Sequence, residues 1–449
     1  MAARSDCRQH APSSVAWPGL MSAPRSAYVH IPFCHRRCFY CDFAVVPLGD
    51  RADAAAGPGR ASIQAYLALL HEEIGLSPAG PPLATVYVGG GTPSLLTPGQ
   101  IADLLQRLTQ RFGLQDGAEI TLEMDPASFD QQHLEAVLDA GVTRVSLGGQ
   151  SFDDAVLASL GRRHRRADLL AACTWLQRAW LQGRLTSWSL DLIRNLPGQT
   201  EAQWQQQLEL ALAAGVPHLS VYDLSVEPGT VFAWRQQRGE LELPDDGEAV
   251  ERIRQTGERL QQAGFCRYEV SNYARPGHAS RHNRVYWSGA GWWGFGLGAT
   301  SAPWGRRLAR PRTREAYARW LMTQRQQPDR SLLAAAAVPL PLDDLLLVGL
   351  RRREGVDLWR LAAASGWDAA TCERYLPDLE RRWSEPEAQS LIEECGRRWR
   401  LRDPEGLALS NQVLVEVVRW WETLPAAVVQ SPSPEAPPPA VAAPGSGRG

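Results

Sequence analysis

Long apolar runs are missing from this 449-residue chain. The longest, at residues 332–342, is broken by proline and falls well short of the roughly 20 residues that a membrane span needs. The N-terminal segment likewise lacks the apolar core of a secretion signal. A surplus of one charge is also missing. With a formal net charge of −2 and an isoelectric point near 6.5, nothing global points to nucleic acid as a partner. Cysteine is scarce: eight in a chain of this length are too few for a disulfide framework. A reducing compartment fits better, so the expectation is a cytoplasmic protein without a transmembrane segment. Its expected partners are small molecules and other proteins. Cys7, Cys173, Cys266, Cys372 and Cys395 are scattered and read as small core residues or a tail thiol.

What cysteine there is lies unevenly. Cys34, Cys38 and Cys41 offer three thiolates within eight residues and no fourth. Thiolates are the soft ligands that iron-sulfur clusters take, and a four-iron cluster held by three of them keeps one iron open. An open position separates a metal centre that binds a small molecule from a closed structural one. Zinc stands as an alternative, with His30 or His35 completing the set. Ferredoxin-type electron transfer fits less well, because its pattern has a fourth cysteine and a Cys-Pro ending.

β-Branched apolar runs alternate with amphipathic stretches over most of the first 270 residues. Strands are expected at 27–31, 83–88, 119–124, 142–147, 185–193 and 217–224, and helices at 62–74, 98–112, 130–140, 166–181 and 201–213. Strand followed by helix, repeated, implies parallel strands with right-handed crossovers, and a partial (β/α)6 barrel is the natural closure. Polar and glycine residues collect just past the strand ends: the cysteines after strand one, Gly89 to Thr92 after strand two, Glu123 and Asp125 at the end of strand three, Gly148 to Gln150 after strand four, and Asp191 at the end of strand five. In parallel α/β barrels that face carries the site.

Residues 287–298 read as a glycine-rich loop, a weak sign of nucleotide binding by itself. From 340 to 421 the pattern turns helix-rich, with helix expected at 346–351 and 387–395 and a short strand at 399–401. This predicts a small, winged-helix-like C-terminal domain. The last residues are nearly all Pro, Ala, Ser and Gly and bury too little to order themselves. The expected organisation is a tail at 1–24, in which Met21 is a second candidate start, a core at 25–325, a C-terminal domain at 326–425 and a tail at 426–449.

Glu123 and Asp191 accept hydrogen bonds when ionised, Gln150 both gives and accepts, and the Arg162 guanidinium suits a bidentate grip on a ligand carboxylate. Each also has a plain reading as a solvated residue at a strand or helix end. His282, followed by Tyr286 and Trp287, is either a satisfied structural histidine or an axial ligand of heme iron.

The triplet C-x3-C-x2-C, with Tyr40 before its last cysteine, resembles the radical S-adenosylmethionine (SAM) superfamily. More narrowly, the segments 28–34, 41–43, 89–94, 147–152, 160–164, 191–193, 196–200, 227–230 and 282–287 resemble the HemN/HemW group, and the likeness runs from Ala27 to Trp421. That group holds oxygen-independent coproporphyrinogen III dehydrogenase and heme chaperones. The resemblance implies a 4Fe-4S cluster on Cys34, Cys38 and Cys41 whose open iron is chelated by SAM. It also implies SAM contacts from Tyr28, Tyr40, Gly90, Gly91, Thr92, Glu123, Gln150, Arg162 and Asp191, and heme at His282. Heme or porphyrin, heme-accepting proteins and an electron donor are the implied partners. Phe43 stands where the dehydrogenase has a further cysteine, and its longer N-terminal arm is not seen, so the chaperone branch is expected and the decarboxylating enzyme is the alternative. Two departures stand out: Thr300 replaces a frequent histidine, and Arg194-Asn195 replaces an aromatic-glycine pair.

Overall fold

A computed structural model describes residues 23–52, 57–326 and 338–429. Cys7, Met21, most of both expected tails and the greater part of the 332–342 run lie outside them. The six expected strands are present as β1 (Ser26–Ile31), β2 (Leu83–Gly90), β3 (Leu114–Met124), β4 (Arg144–Gln150), β5 (Ser187–Arg194) and β6 (His218–Asp223). They lie side by side in chain order and run parallel. Three short strands extend the sheet: β7 (Cys266–Arg267) and β8 (Asn272–Ala274) continue antiparallel beyond β6, and β9 (Trp293–Phe295) pairs parallel with β1. The outer strands β9 and β7 do not pair with each other, so the barrel is open.

Between the strands run α1 (Pro58–Leu76), α2 (Pro98–Phe112), α3 (Gln131–Asp139), α4 (Asp154–Ser159), α5 (Arg166–Leu181) and α6 (Glu201–Ala213). After β6 come α7 (Val231–Gln237), α8 (Asp246–Gln262) and α9 (Arg281–Ser288). Local chemistry sets their starts. Thr97 accepts from the Gln100 amide at 3.2 Å while the Gln100 side chain accepts from the Thr97 amide at 2.9 Å, a reciprocal cap that begins α2 at Pro98. Thr200 and Gln203 do the same for α6. The strands bury residues on both faces, as β1 does with Ala27, Val29 and Ile31 on one and Ser26 and His30 on the other, because helices cover the outside and the barrel interior the other side.

Three expectations need correction. Residues 287–298 are not one loop: Trp287 and Ser288 end α9, Gly289 caps it at φ +68°, and residues 293–295 form β9. The glycines there serve close packing, since a Cβ on Gly294 would stand 2.3 Å from the Thr300 carbonyl oxygen and one on Gly296 2.3 Å from the Tyr66 hydroxyl. Residues 387–395 are not one helix either. A turn of helix at Pro386–Gln389 gives way to a strand, Ile392–Cys395, paired antiparallel with Arg398–Leu401, in which Ile392, Trp399 and Leu401 turn inward. Finally, Ala426–Val429, expected in the tail, form a helical turn. The helices Leu342–Gly349, Leu358–Ala364, Ala369–Trp383 and Ser410–Glu422 pack with that hairpin around an apolar cluster separate from the barrel core. Among the described residues no helix is long and apolar enough to cross a membrane.

One buried ion pair ties the β1 edge of the barrel together. The Glu73 carboxylate accepts from Arg310 Nε at 2.7 Å, the Gly296 amide at 2.7 Å and the Tyr317 hydroxyl at 2.6 Å. Glu73 and Arg310 are both fully buried.

Candidate cofactor site at the mouth of the barrel

The cysteine segment leaves β1 through Pro32 and Phe33 and is fixed by its backbone. The Gly91 amide donates to the Ile31 carbonyl at 2.8 Å and the Thr92 amide to the Phe33 carbonyl at 2.7 Å, which pins the segment to the end of β2. The glycines allow this approach. A Cβ on Gly91 would lie 2.7 Å from the Phe33 oxygen and one on Gly90, at φ +115°, 2.5 Å from the His30 ring. Further along, the Phe39 amide donates to the Leu160 carbonyl at 3.0 Å and the Phe39 carbonyl accepts from the Phe232 amide at 3.0 Å, so α4 and α7 clamp the middle of the loop.

Cys34, Cys38 and Cys41 line one cavity of about 390 Å³ at the C-terminal ends of the strands. The same cavity is lined by Tyr40, Gly90, Gly91, Thr92, Glu123, Gln150, Arg162 and Asp191. Six separate stretches of sequence thus contribute residues expected at one site. Tyr28 is not among the lining residues; its hydroxyl bonds His30 Nδ1 at 2.9 Å. Burial raises the Cys41 thiol and pushes the Cys34 thiol up to about 12, so Cys34 is protonated at neutral pH unless a metal displaces the proton.

Three carboxylates face the cavity from the expected strand ends. Glu123 accepts from the Tyr87 hydroxyl at 2.8 Å and the Gly90 amide at 2.9 Å, and its burial lifts the carboxyl to about 7. Asp191, raised by burial, accepts from Ser146 Oγ at 3.1 Å. Asp125 is buried, which alone would raise it, but Arg162 at 2.7 Å and His164 hold it well below the usual carboxylate range. Arg162 also donates to the Gly148 carbonyl at 2.7 Å, and its Nη1 lies 3.7 Å from Cys38 Sγ. A guanidinium anchored by Asp125 therefore touches the Cys38 sulfur. Gln150 reaches the cavity from a left-handed backbone, φ +63°, at a register shift between β4 and β5. Such conformations cost about 1–3 kcal/mol and gather at functional sites.

The structure places His282 away from the cavity lining. It is fully buried on α9, with Nδ1 bonded to Thr85 Oγ1 at 2.7 Å and Nε2 to the Tyr286 hydroxyl at 2.8 Å, and its ring stacks on Tyr87 at 5.2 Å. Both nitrogens are engaged, so neither has a lone pair and an open approach for heme iron. His30 is spent the same way, on the Tyr28 hydroxyl and, at 2.8 Å, the Ala44 carbonyl. That removes it as a fourth ligand for zinc, while His35 lines the cavity. Among the described residues no three His, Cys, Asp or Glu side chains gather tightly enough for a single ion. Three thiols lining one cavity suit a cluster whose irons are each taken by a different sulfur. Sequence reasoning missed Ser146, Tyr222, Asp223 and Glu227, which also line the cavity. The rule that polar residues past strand ends build the site, applied to β6, would have found Asp223.

A family model described as the Radical SAM superfamily matches residues 28–221. The chain is 40% identical over 413 residues to the heme chaperone HemW of Synechocystis sp., covering 88% of this chain and 97% of that protein. It is 39% identical to HemW of Mycobacterium tuberculosis, covering 78% and 88%. It is 33% identical to the mitochondrial radical S-adenosyl methionine domain-containing protein 1 of Bos taurus, covering 92% of each. Among solved structures, coproporphyrinogen III oxidase (HemN) of Escherichia coli superposes with a TM-score of 0.69 at 21% identity over 89% of this chain and 91% of its own, a likeness of fold. With this identity maintained along nearly the whole length of its relatives, and three thiols set in an α/β barrel mouth, the chain belongs to the HemW family of the radical SAM superfamily.

Proposed function

We propose that this protein is a heme chaperone of the HemW type: it binds heme, a 4Fe-4S cluster and SAM, and passes heme to target proteins in the cytoplasm. The near full-length similarity to proteins named heme chaperone carries this reading. The donor set supports it as well. Cys34, Cys38 and Cys41 would hold the cluster with one iron open, and Tyr40, Gly90, Gly91, Thr92, Glu123, Gln150, Arg162 and Asp191 would bind SAM around it. When bound, the cluster and SAM together supply one-electron chemistry. The chain's own part is to place donors and acceptors: Asp125 orients Arg162 against Cys38, Tyr87 and the Gly90 amide orient Glu123, and the barrel walls restrict water. We further read residues 25–325 as the cofactor-binding core and 326–425 as a separate domain, with an electron donor serving the cluster.

The alternative, oxidative decarboxylation of coproporphyrinogen III, has the fold likeness in its favour. Phe43, 57% exposed where that enzyme has a further cysteine, speaks against it. The discriminating experiment is anaerobic: reconstituted protein is assayed with coproporphyrinogen III, SAM and reductant, and in parallel titrated with heme. Heme binding followed by transfer to an apo-hemoprotein, without protoporphyrinogen formation, is expected. Protoporphyrinogen formation at enzymatic rates would overturn the chaperone assignment.

A further inference from the structure

The departure at Arg194-Asn195 is part of a connected polar chain that ends in the cavity. Arg194, 1% exposed, grips the Asp223 carboxylate with two bonds, Nε to Oδ1 at 2.7 Å and Nη2 to Oδ2 at 3.0 Å. The Asn195 amide donates to the same Oδ1 at 2.6 Å, from a left-handed backbone, φ +57°, that asparagine tolerates better than most residues. Behind it, Arg252 Nη1 donates to Asn195 Oδ1 at 2.7 Å and Nη2 to the Gln199 carbonyl at 3.1 Å, while Nε faces Glu201 at 3.4 Å. The chain runs from α8 through the β5 end to the β6 end.

A carboxylate offers about four acceptor directions. Three of those on Asp223 are filled from behind, and one on Oδ2 is left on a side chain that lines the cavity and is 43% exposed. The other cavity carboxylates are engaged as well: Asp125 accepts from Arg162, and Glu123 from Tyr87 and the Gly90 amide. Desolvating Arg194 is costly unless it is paired, so the pairing fixes both partners in place.

We propose that Asp223 is a ligand-contacting carboxylate of this cavity, accepting a hydrogen bond from a hydroxyl or ammonium group of bound SAM, and that Arg194, Asn195 and Arg252 are its positioning residues. This rests on the reading that the cavity binds SAM.

Two variants test it in cluster-loaded protein by anaerobic equilibrium dialysis. Asp223→Asn removes the charge. The triple variant Arg194→Phe, Asn195→Gly, Asp223→Asn removes the buried guanidinium together with its partner and restores the aromatic-glycine pair, so that misfolding does not confound the result. Iron content and melting temperature serve as controls for structure. Both variants are expected to bind SAM roughly tenfold more weakly, the size of one hydrogen bond to a charged group. A titration with 5′-methylthioadenosine, which lacks the amino-acid ammonium, distinguishes the donors. Equal loss points to a ribose hydroxyl, and loss with SAM alone points to the ammonium. SAM affinity within twofold of wild type in either variant overturns the proposal. Failure of cluster-loaded wild type to bind SAM overturns the cavity reading and the proposal with it.

Discussion

Replacing His282 by alanine separates a structural histidine from a heme ligand. The substitution removes a fully buried ring that bridges Thr85 and Tyr286 and stacks on Tyr87. The buried Thr85 hydroxyl and the half-buried Tyr286 hydroxyl lose a partner, at about 1–3 kcal/mol for a buried group that finds no replacement, and the vacated volume adds a cavity term. With partial relaxation, about 3–5 kcal/mol of destabilisation is expected, at the upper end of single substitutions. A pH signature accompanies it. Burial, with the Arg144 guanidinium adding to it, lowers the His282 pKa from 6.5 to about 3. Between those values the unfolded chain binds a proton that the folded chain refuses, so this residue lends stability above about pH 6.5 that is lost as the pH falls toward 3. Near pH 5 its share of the slope is close to one proton, about 1.4 kcal/mol per pH unit. Urea unfolding of wild type and His282→Ala at pH 7, 6 and 5 reads both effects: the variant should start lower and lose less on acidification. A variant of near wild-type stability that has lost its heme Soret band would refute the argument and return His282 to the heme site.

Cys34→Ala, Cys38→Ala and Cys41→Ala should each lack the cluster after anaerobic reconstitution, because two thiolates cannot hold it with an iron still open; iron and sulfide analysis checks this, and a full complement in any one removes that cysteine from the ligand set. Glu73→Ala should destabilise by about 3–5 kcal/mol by stranding the buried Arg310, and Glu73→Ala with Arg310→Met should recover part of the loss in the same urea assay. SAM affinity should rise with pH through about 7 as Glu123 ionises toward a cationic ligand, and this limb should vanish in Glu123→Gln, as followed by equilibrium dialysis between pH 6 and 8.

The parallel core was legible because its signals are local. Buried strands read as β-branched runs, and Thr97-Gln100 and Thr200-Gln203 announce their helices within four residues. That is why α2, α5 and α6 begin and end where periodicity places them. The cavity was legible for a topological reason: once strands alternate with helices, residues past successive strand ends must converge. Periodicity was weaker over 287–298 and 387–395, where strands of three and four residues are too short to show alternation. Their state is decided by pairing partners far away in sequence, β1 for one and Arg398–Leu401 for the other. The surroundings of His282 were illegible in the sequence for a similar reason. The residue type permits iron ligation, but whether its nitrogens are available depends on Thr85, almost two hundred positions earlier, which no local pattern reveals.

The glycines at the end of β2 show how a motif can serve function by more than contact with a ligand. Three glycines in a row suggest room for a bound molecule against the backbone, yet a Cβ at Gly89 would meet the Glu123 carboxyl at 2.9 Å, one at Gly90 the His30 ring and one at Gly91 the backbone of Pro32 and Phe33. The space they save is filled by the protein itself. It brings the Gly90 amide to Glu123, and the Gly91 and Thr92 amides to the carbonyls that launch the cysteine segment. One tight turn thus aligns a cavity carboxylate and fixes the path of the loop carrying Cys34, Cys38 and Cys41. Replacing Gly91 with alanine would force that loop off the end of β2, and the first casualty would be the spacing of the thiols rather than any contact to a cofactor.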